Sequence, residues 1–181
     1  MANAAGAAGL SLLMAGDAAA AGPWFERAAV RYRESYREAP PGSWGRPIGA
    51  MKARILAGDW DGAVADAHWA LDEGAASAES PIGRYAGALA LLVLGRWDAA
   101  RVVTDGLRAD EGFPSDVADA LAYLAGDDPV GYTEAVEAVL GSFETRDEYL
   151  EDIPVADTVL VLQALARRRG IDVALTSALL P

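Results

Sequence analysis

A single histidine limits the acid–base chemistry that this chain can perform. His68 follows Asp61 by seven residues and precedes Asp72 by four, which places the three side chains along one edge of a helix. His68 and Asp72 are close enough to share a proton or a metal ion, whereas Asp61 lies ~16 Å from Asp72 along the helix axis. We expect a solvated helix edge here. An enzyme that uses His68 and Asp72 is the alternative.

Other catalytic and metal-binding patterns are missing from the sequence. The chain has no cysteine, no His-Glu-x-x-His pattern, no phosphate-loop lysine and no serine framed by glycines. One histidine without cysteine is a poor set of ligands for a transition metal. The sequence therefore predicts a non-enzymatic protein with no catalytic residue, no metal and no cofactor.

Two further side chains depart from the helical pattern around them. Trp69 lies off the apolar stripe of its helix, with Asp66, Asp72 and Glu73 within one turn. It is either wedged between neighbouring helices, which we favour, or displayed to a partner on an acidic face. Arg84 begins the most apolar helix, so it either packs its stem and pairs locally or contacts a partner.

The most acidic part of the chain is residues 144–152, which we call the acidic connection. It contains five carboxylates, one arginine and one aromatic ring, that of Tyr149. A charged loop is usually only solvated, but an aromatic ring among like charges is also typical of an interface anchor with a steering rim. The predicted partner surface in this segment consists of Asp147, Glu148, Tyr149 and Glu151.

A repeated corner organises the elements that hold these residues. Ala57-Gly58-Asp59-Trp60-Asp61 returns as Leu94-Gly95-Arg96-Trp97-Asp98, and shorter copies occur at Gly16 and Gly126. Glycine supplies a left-handed helix cap, and a following aspartate can cap the next helix. The spacing of these glycines is close to that of helical-hairpin repeats. We therefore predict one all-α domain over residues 1–181, built as an irregular tetratricopeptide-like α-solenoid of about nine helices in stacked antiparallel hairpins.

Apolar periodicity predicts where these helices lie. The predicted second helix begins after Asp17 and tolerates Pro23 only in its first turn. Its predicted buried stripe consists of Trp24, Ala28, Tyr32 and Tyr36, with Phe25 and Ala29 beside them. The helix that contains Tyr85 should be central, and Trp60 and Trp97 should be buried at equivalent corners. The tail, residues 171–181, should dock through leucines. No strand is predicted, because no alternation of period two occurs.

The net charge of −12 defines the kind of partner to expect. Such a field disfavours nucleic acid and anionic membranes and attracts a basic protein, although acidity also keeps an alanine-rich chain in solution. The opening apolar run lacks a basic residue before it, so we expect a helix and not a signal peptide. We expect a cytoplasmic protein whose oligomeric state the sequence leaves open.

Several segments resemble a known family. They are Ser80-Pro81-Ile82-Gly83-Arg84-Tyr85, Asp147-Glu148-Tyr149-Leu150, Ala156-Asp157-Thr158-Val159-Leu160, Gln163-Ala164-Leu165 and the ending Ser177-Ala178-Leu179-Leu180-Pro181. Together they resemble the immunity-forty-nine family of bacterial polymorphic-toxin systems. The resemblance implies an all-α cytoplasmic protein that binds and blocks a cognate toxin, often a nuclease. A tetratricopeptide-like adaptor that holds a peptide in its concave face is the alternative.

Overall fold

The computed structural model describes the backbone of residues 1–181 and every side chain except that of Leu150. Over this backbone the chain is all-α, as predicted, with nine α-helices and no strand. The helices are α1 (Ala2–Met14), α2 (Ala18–Tyr36), α3 (Gly45–Leu56), α4 (Trp60–Asp72), α5 (Pro81–Val93), α6 (Trp97–Arg108), α7 (Ser115–Gly126), α8 (Pro129–Glu144) and α9 (Asp157–Arg168). Two 3-10 turns, Ala75–Ser77 and Leu150–Asp152, lie between them.

The repeated glycines form helix-turn-helix corners. Gly58 adopts a left-handed φ of 71°, and the next amide, that of Asp59, donates back to the carbonyl of Arg54 in the last turn of α3. The Asp59 carboxylate then accepts the amide of Gly62 and caps α4. Gly16 and Gly95 take the same left-handed conformation, so three of the four predicted corner glycines are confirmed.

The fourth corner differs from the prediction. Gly126 is the last residue of α7, and the left-handed residue is Asp127, with φ of 59°. Aspartate visits this region more readily than most side-chain-bearing residues because its short carboxylate can hydrogen-bond locally. The predicted cap glycine at 126 is therefore wrong, although the corner itself joins α7 to α8 as expected.

The helices stack in sequence order. Each of α1 to α8 packs against the next, and α5 also contacts α3 and α7, the first helices of the neighbouring hairpins. The last helix, α9, returns across this side of the stack and contacts α3, α7 and α8. The side of the solenoid formed by α3, α5 and α7 is therefore covered by the chain's own C-terminal helix.

Trp60 and Trp97 occupy equivalent corners, as predicted, under the end of α9. They begin α4 and α6, and the guanidinium groups of Arg168 and Arg169 lie 4.2 Å and 4.1 Å from their respective ring centroids. Both tryptophans are half-buried, so the prediction that they are buried is only partly met, and an arginine covers one face of each ring. The two cation–π contacts fix the end of α9 against the corners.

The core is centred on α5. Every residue from Tyr85 to Val93 is buried, which confirms that this helix is central. The tail docks on the main core through Leu175, Leu179 and Leu180, and the carbonyl of Leu179 accepts the amide of Ala156. None of the helices in the described chain combines the length and apolar content that crossing a membrane requires.

Two expectations for α2 are wrong. The helix begins at Ala18, because Asp17 caps it by accepting the amide of Ala20, so Pro23 lies beyond the first turn. Trp24 is 38% exposed and lies under the guanidinium of Arg27, 4.9 Å from its ring centroid. Phe25, Ala28 and Ala29 are buried as predicted, and Ala21 completes the buried face of α2.

Candidate functional site

The acidic connection lies on the surface between α8 and α9. Asp147, Glu148 and Glu151 are all exposed. Within the described side chains no ion pair joins these carboxylates to a basic group. The local arginine, Arg146, places its guanidinium 3.8 Å from the ring centroid of Phe143. The negative charge of this segment is therefore not neutralised from within the chain.

Tyr149 holds the acidic connection against the core. Its ring is partly buried in the main apolar cluster, and its hydroxyl donates to the carbonyl of Phe143 over 2.8 Å. Two and three residues after it, Glu151 and Asp152 adopt left-handed φ values of 52° and 58°. Such conformations are costly for residues other than glycine, so surrounding contacts must maintain them. Tyr149 supplies such a contact, which gives it a positioning role.

The ring of Trp69 is mostly packed between helices, as the favoured prediction has it. The ring of Trp69 makes an edge contact with Tyr36, with centroids 5.1 Å apart, and Arg33 stacks on it from α2. Asp66 was expected on an exposed acidic face, but it is only 2% exposed and pairs with Arg33 over 2.6 Å. Burial raises the pKa of the Asp66 carboxyl. The nearby Arg33 and Arg54 guanidinium groups lower it, but by less, so the pKa stays above its ordinary value.

That acidic face is therefore smaller than predicted. Asp72 and Glu73 are exposed, and the indole N–H of Trp69 donates to Glu73 over 3.3 Å. Asp66, by contrast, joins α2, α3 and α4, since Arg54 of α3 also lies 3.7 Å from its second oxygen. A carboxylate in that position stabilises helix packing and does not contact a partner directly.

Arg84 and His68 have local roles. Arg84 pairs with Asp110 over 2.8 Å and donates to the carbonyls of Glu79 and Gly106, so it joins the start of α5 to the end of α6. His68 and Asp72 both lie on an exposed edge of α4. Among the described residues no three histidine or carboxylate groups are placed to hold a metal ion together.

A large cavity lies between α1, α2 and α3, at a place that the sequence did not indicate. Its volume is about 850 Å³, within the usual range of small-molecule sites. The helix α2 packs on both α1 and α3, and Asp157 at the start of α9 also lines the cavity. Its lining is mixed: ten of the 21 lining residues carry polar or charged side chains, and apolar residues such as Leu10, Phe25 and Ile48 reach it with only a small part of their surface.

An ion pair lies at the edge of this cavity. Lys52 of α3 contacts Asp157 at the start of α9 over 2.5 Å and donates to Thr158 over 3.1 Å. Burial alone would lower the pKa of Lys52, but the adjacent Asp157 carboxylate raises it above its ordinary value. The hydroxyl of Tyr32, which also lines the cavity, donates to Asn3 over 2.7 Å. These polar groups are thus paired with one another.

No protein-family model, curated protein or solved structure matches this chain. The resemblance to the immunity-forty-nine family therefore stays a prediction.

Sequence reasoning placed Asp157 only as a favourable charge at a helix start and did not single out Lys52. A lysine within an apolar helix was the available signal, because such a charge needs a partner. The sequence did not reveal which of many carboxylates that partner was, since Asp157 lies far along the chain.

Proposed function

We propose that this chain is a non-enzymatic cytoplasmic binding protein that neutralises a basic toxin domain, as immunity proteins of polymorphic-toxin systems do. A nuclease toxin binds phosphates through basic side chains, and an acidic protein can occupy the same groove. Steered association between opposite charges makes such neutralisation fast. The partner surface is the acidic connection.

The observation that carries the proposal is the unneutralised charge of the acidic connection. Asp147, Glu148 and Glu151 are exposed, while Arg146 stacks on Phe143 instead of pairing with them. Tyr149 fixes the segment to the core through its bond to Phe143. A charged rim on a fixed segment binds with a smaller ordering cost than a flexible tail.

The position of α9 over α3, α5 and α7 favours this function over a peptide-binding adaptor. An adaptor of the tetratricopeptide type binds its peptide on the side lined by the first helix of each hairpin. Here α9 lies across that side and contacts α3 and α7, with buried Leu162 and Leu165 on the packed face. A peptide would have to displace a helix that belongs to the main core.

The proposal predicts that a toxin-like protein is encoded beside this gene, and the test measures association and dissociation rates with that protein. The variant reverses three charges, Asp147→Lys, Glu148→Lys and Glu151→Lys. We expect association to slow about tenfold at low salt, because electrostatic complementarity acts mainly on the association rate. The difference should shrink as added salt shortens the screening length to ~8 Å at physiological ionic strength.

A matched control separates the acidic connection from net charge. Glu26→Lys, Asp105→Lys and Glu134→Lys change the total charge equally, at exposed helical positions outside the acidic connection. This control should slow association by less than about threefold. Equal slowing by both triples would show that only total charge matters, and unchanged rates in both would remove the electrostatic proposal.

A further inference from the structure

The cavity between α1, α2 and α3 suits a polar ligand better than an apolar one. Its volume of about 850 Å³ has room for a small molecule. Leu10, Phe25 and Ile48 line it but are each less than 10% exposed, so an apolar ligand would bury little surface against them. Recognition in this cavity therefore depends on its charged and polar groups.

The charges of the lining are balanced, unlike those of the chain as a whole. The chain has 27 acidic and 15 basic side chains. The lining has three of each, namely Arg31, Arg46 and Lys52 with Glu34, Glu38 and Asp157. The cavity thus lacks the excess of negative charge that would repel a carboxylate elsewhere on this protein.

Two of these six charges have no ion-pair partner. Four of them form two pairs, Arg31 with Glu34 and Lys52 with Asp157. Within the described side chains no ion pair includes the remaining two, Arg46 and Glu38. One cation and one anion of the lining are therefore left for a ligand.

Arg46 and Glu38 are near enough for one small molecule to contact both. The Nε of Arg46 donates to the hydroxyl of Ser35 over 3.2 Å, which leaves both terminal nitrogens to donate to a ligand. Ser35 precedes Glu38 by three residues, and the backbone stays helical as far as Arg37. Residues three apart in such a turn have Cβ atoms about 5–6 Å apart.

A ligand with a carboxylate and an ammonium group complements this pair of side chains. A planar guanidinium binds a carboxylate in a bidentate manner, and a glutamate carboxylate accepts hydrogen bonds from an ammonium group. An α-amino acid carries both groups on one carbon atom. Its net charge is zero, so it leaves the balanced lining balanced.

Other lining groups favour a polar side chain on that amino acid. The amide oxygen of Asn3 accepts from Tyr32, which leaves the amide N–H groups of Asn3 as donors. Lys52 uses two of its three N–H donors on Asp157 and Thr158. A ligand side chain with an acceptor oxygen can bind such donors, whereas an alkyl chain would only displace their water.

We propose that this cavity binds a free α-amino acid with a polar side chain, with its carboxylate on Arg46 and its ammonium group on Glu38. The site is separate from the acidic connection and does not depend on the proposed toxin binding.

Free glutamine is the probe, and three comparison ligands each lack one of its groups. Glutaramate lacks the ammonium group, 4-aminobutanamide lacks the carboxylate, and norleucine has an alkyl end in place of the side-chain amide. Titration calorimetry on the full chain should detect saturable glutamine binding. Glutaramate and 4-aminobutanamide should bind at least about tenfold more weakly, and norleucine at least about threefold more weakly. No saturable glutamine binding, or equal binding of all four ligands, would overturn the proposal.

Two charge-removing variants test the two ends of the ligand. Arg46→Gln and Glu38→Gln should each weaken glutamine binding about tenfold or more, because each leaves one charged group of the ligand without its partner. The controls Arg37→Gln and Glu26→Gln remove exposed charges of the same two kinds outside the lining and should change the affinity by less than about twofold. Affinity that is unchanged in Arg46→Gln or in Glu38→Gln would refute the assigned contacts.

A filled cavity tests where the ligand lies. Gly6 lines the cavity from α1, and a Cβ built on it meets no atom within 4 Å, so Gly6→Leu adds a side chain there without an initial clash. Gly141→Leu makes the same change in α8, also in open space but away from the cavity. Gly6→Leu should weaken glutamine binding at least about tenfold and Gly141→Leu should retain it, and both should stay folded because leucine favours helices more than glycine does. Unchanged binding by a folded Gly6→Leu protein would place the ligand outside the cavity.

Discussion

Removal of Lys52 should weaken the docking of α9 on α3. The Lys52 and Asp157 side chains are only 15% and 20% exposed and lie 2.5 Å apart. In Lys52→Met the Asp157 carboxylate would stay partly buried without its cation. Breaking a fully buried ion pair in this way costs about 3–5 kcal/mol of unfolding free energy. Because some water reaches both groups here, we expect a loss of about 2–3 kcal/mol.

Urea unfolding of four proteins measures this effect: the parent, Lys52→Met, Asp157→Asn and the double variant. The double variant should be more stable than the sum of the single losses predicts, by about 1–2 kcal/mol, because the second change removes the orphaned charge. Arg167→Met is the control, since it breaks an exposed pair with Asp172 and should change stability little. A loss below about 0.5 kcal/mol in Lys52→Met, or additive losses, would refute this account of the pair.

Four further predictions concern other parts of the chain. Trp97→Ala should cost about 2–3 kcal/mol in urea unfolding, less than a fully buried ring, and a loss below 1 kcal/mol would mean that its Arg169 contact is not stabilising. Stability should fall as pH rises above 10, because burial raises the pKa of Tyr85 and Asp157 raises that of Lys52, so the unfolded chain loses protons first; a constant urea midpoint from pH 9 to 11 would contradict this. Tyr149→Phe should speed amide hydrogen exchange in residues 144–152, and unchanged exchange would remove its positioning role. His68→Ala should change neither metal content nor any hydrolytic activity, and elemental analysis that finds one metal equivalent lost in this variant would restore the enzyme alternative.

The corners were predictable because their causes are local. Gly58 and Asp59 lie next to each other, and the left-handed cap and the side-chain cap act over a few residues. The central position of α5 also followed from local composition, since a helix that is apolar on all sides must be buried. The pattern at Gly126 misled because Asp127, one residue later, adopts the left-handed conformation in its place.

The sequence did not predict which side chains from distant parts of the chain form ion pairs. Asp66 looked like a surface residue because carboxylates are rarely buried, and only the approach of Arg33 from another helix makes its burial possible. The contact of Lys52 with Asp157 likewise depends on the return of α9 to α3. The cavity beside them is a gap between helices, and no residue type or spacing in the sequence predicts such a gap.

The central claim is that the acidic connection binds the toxin partner. Hydrogen exchange of the free chain and of its complex with a cognate toxin, which the proposal predicts to be encoded beside the gene, tests it most directly. We predict protection of residues 144–152 on binding, with little change in α4 around Trp69. Protection confined to α4, with exchange at residues 144–152 unchanged, would contradict the account.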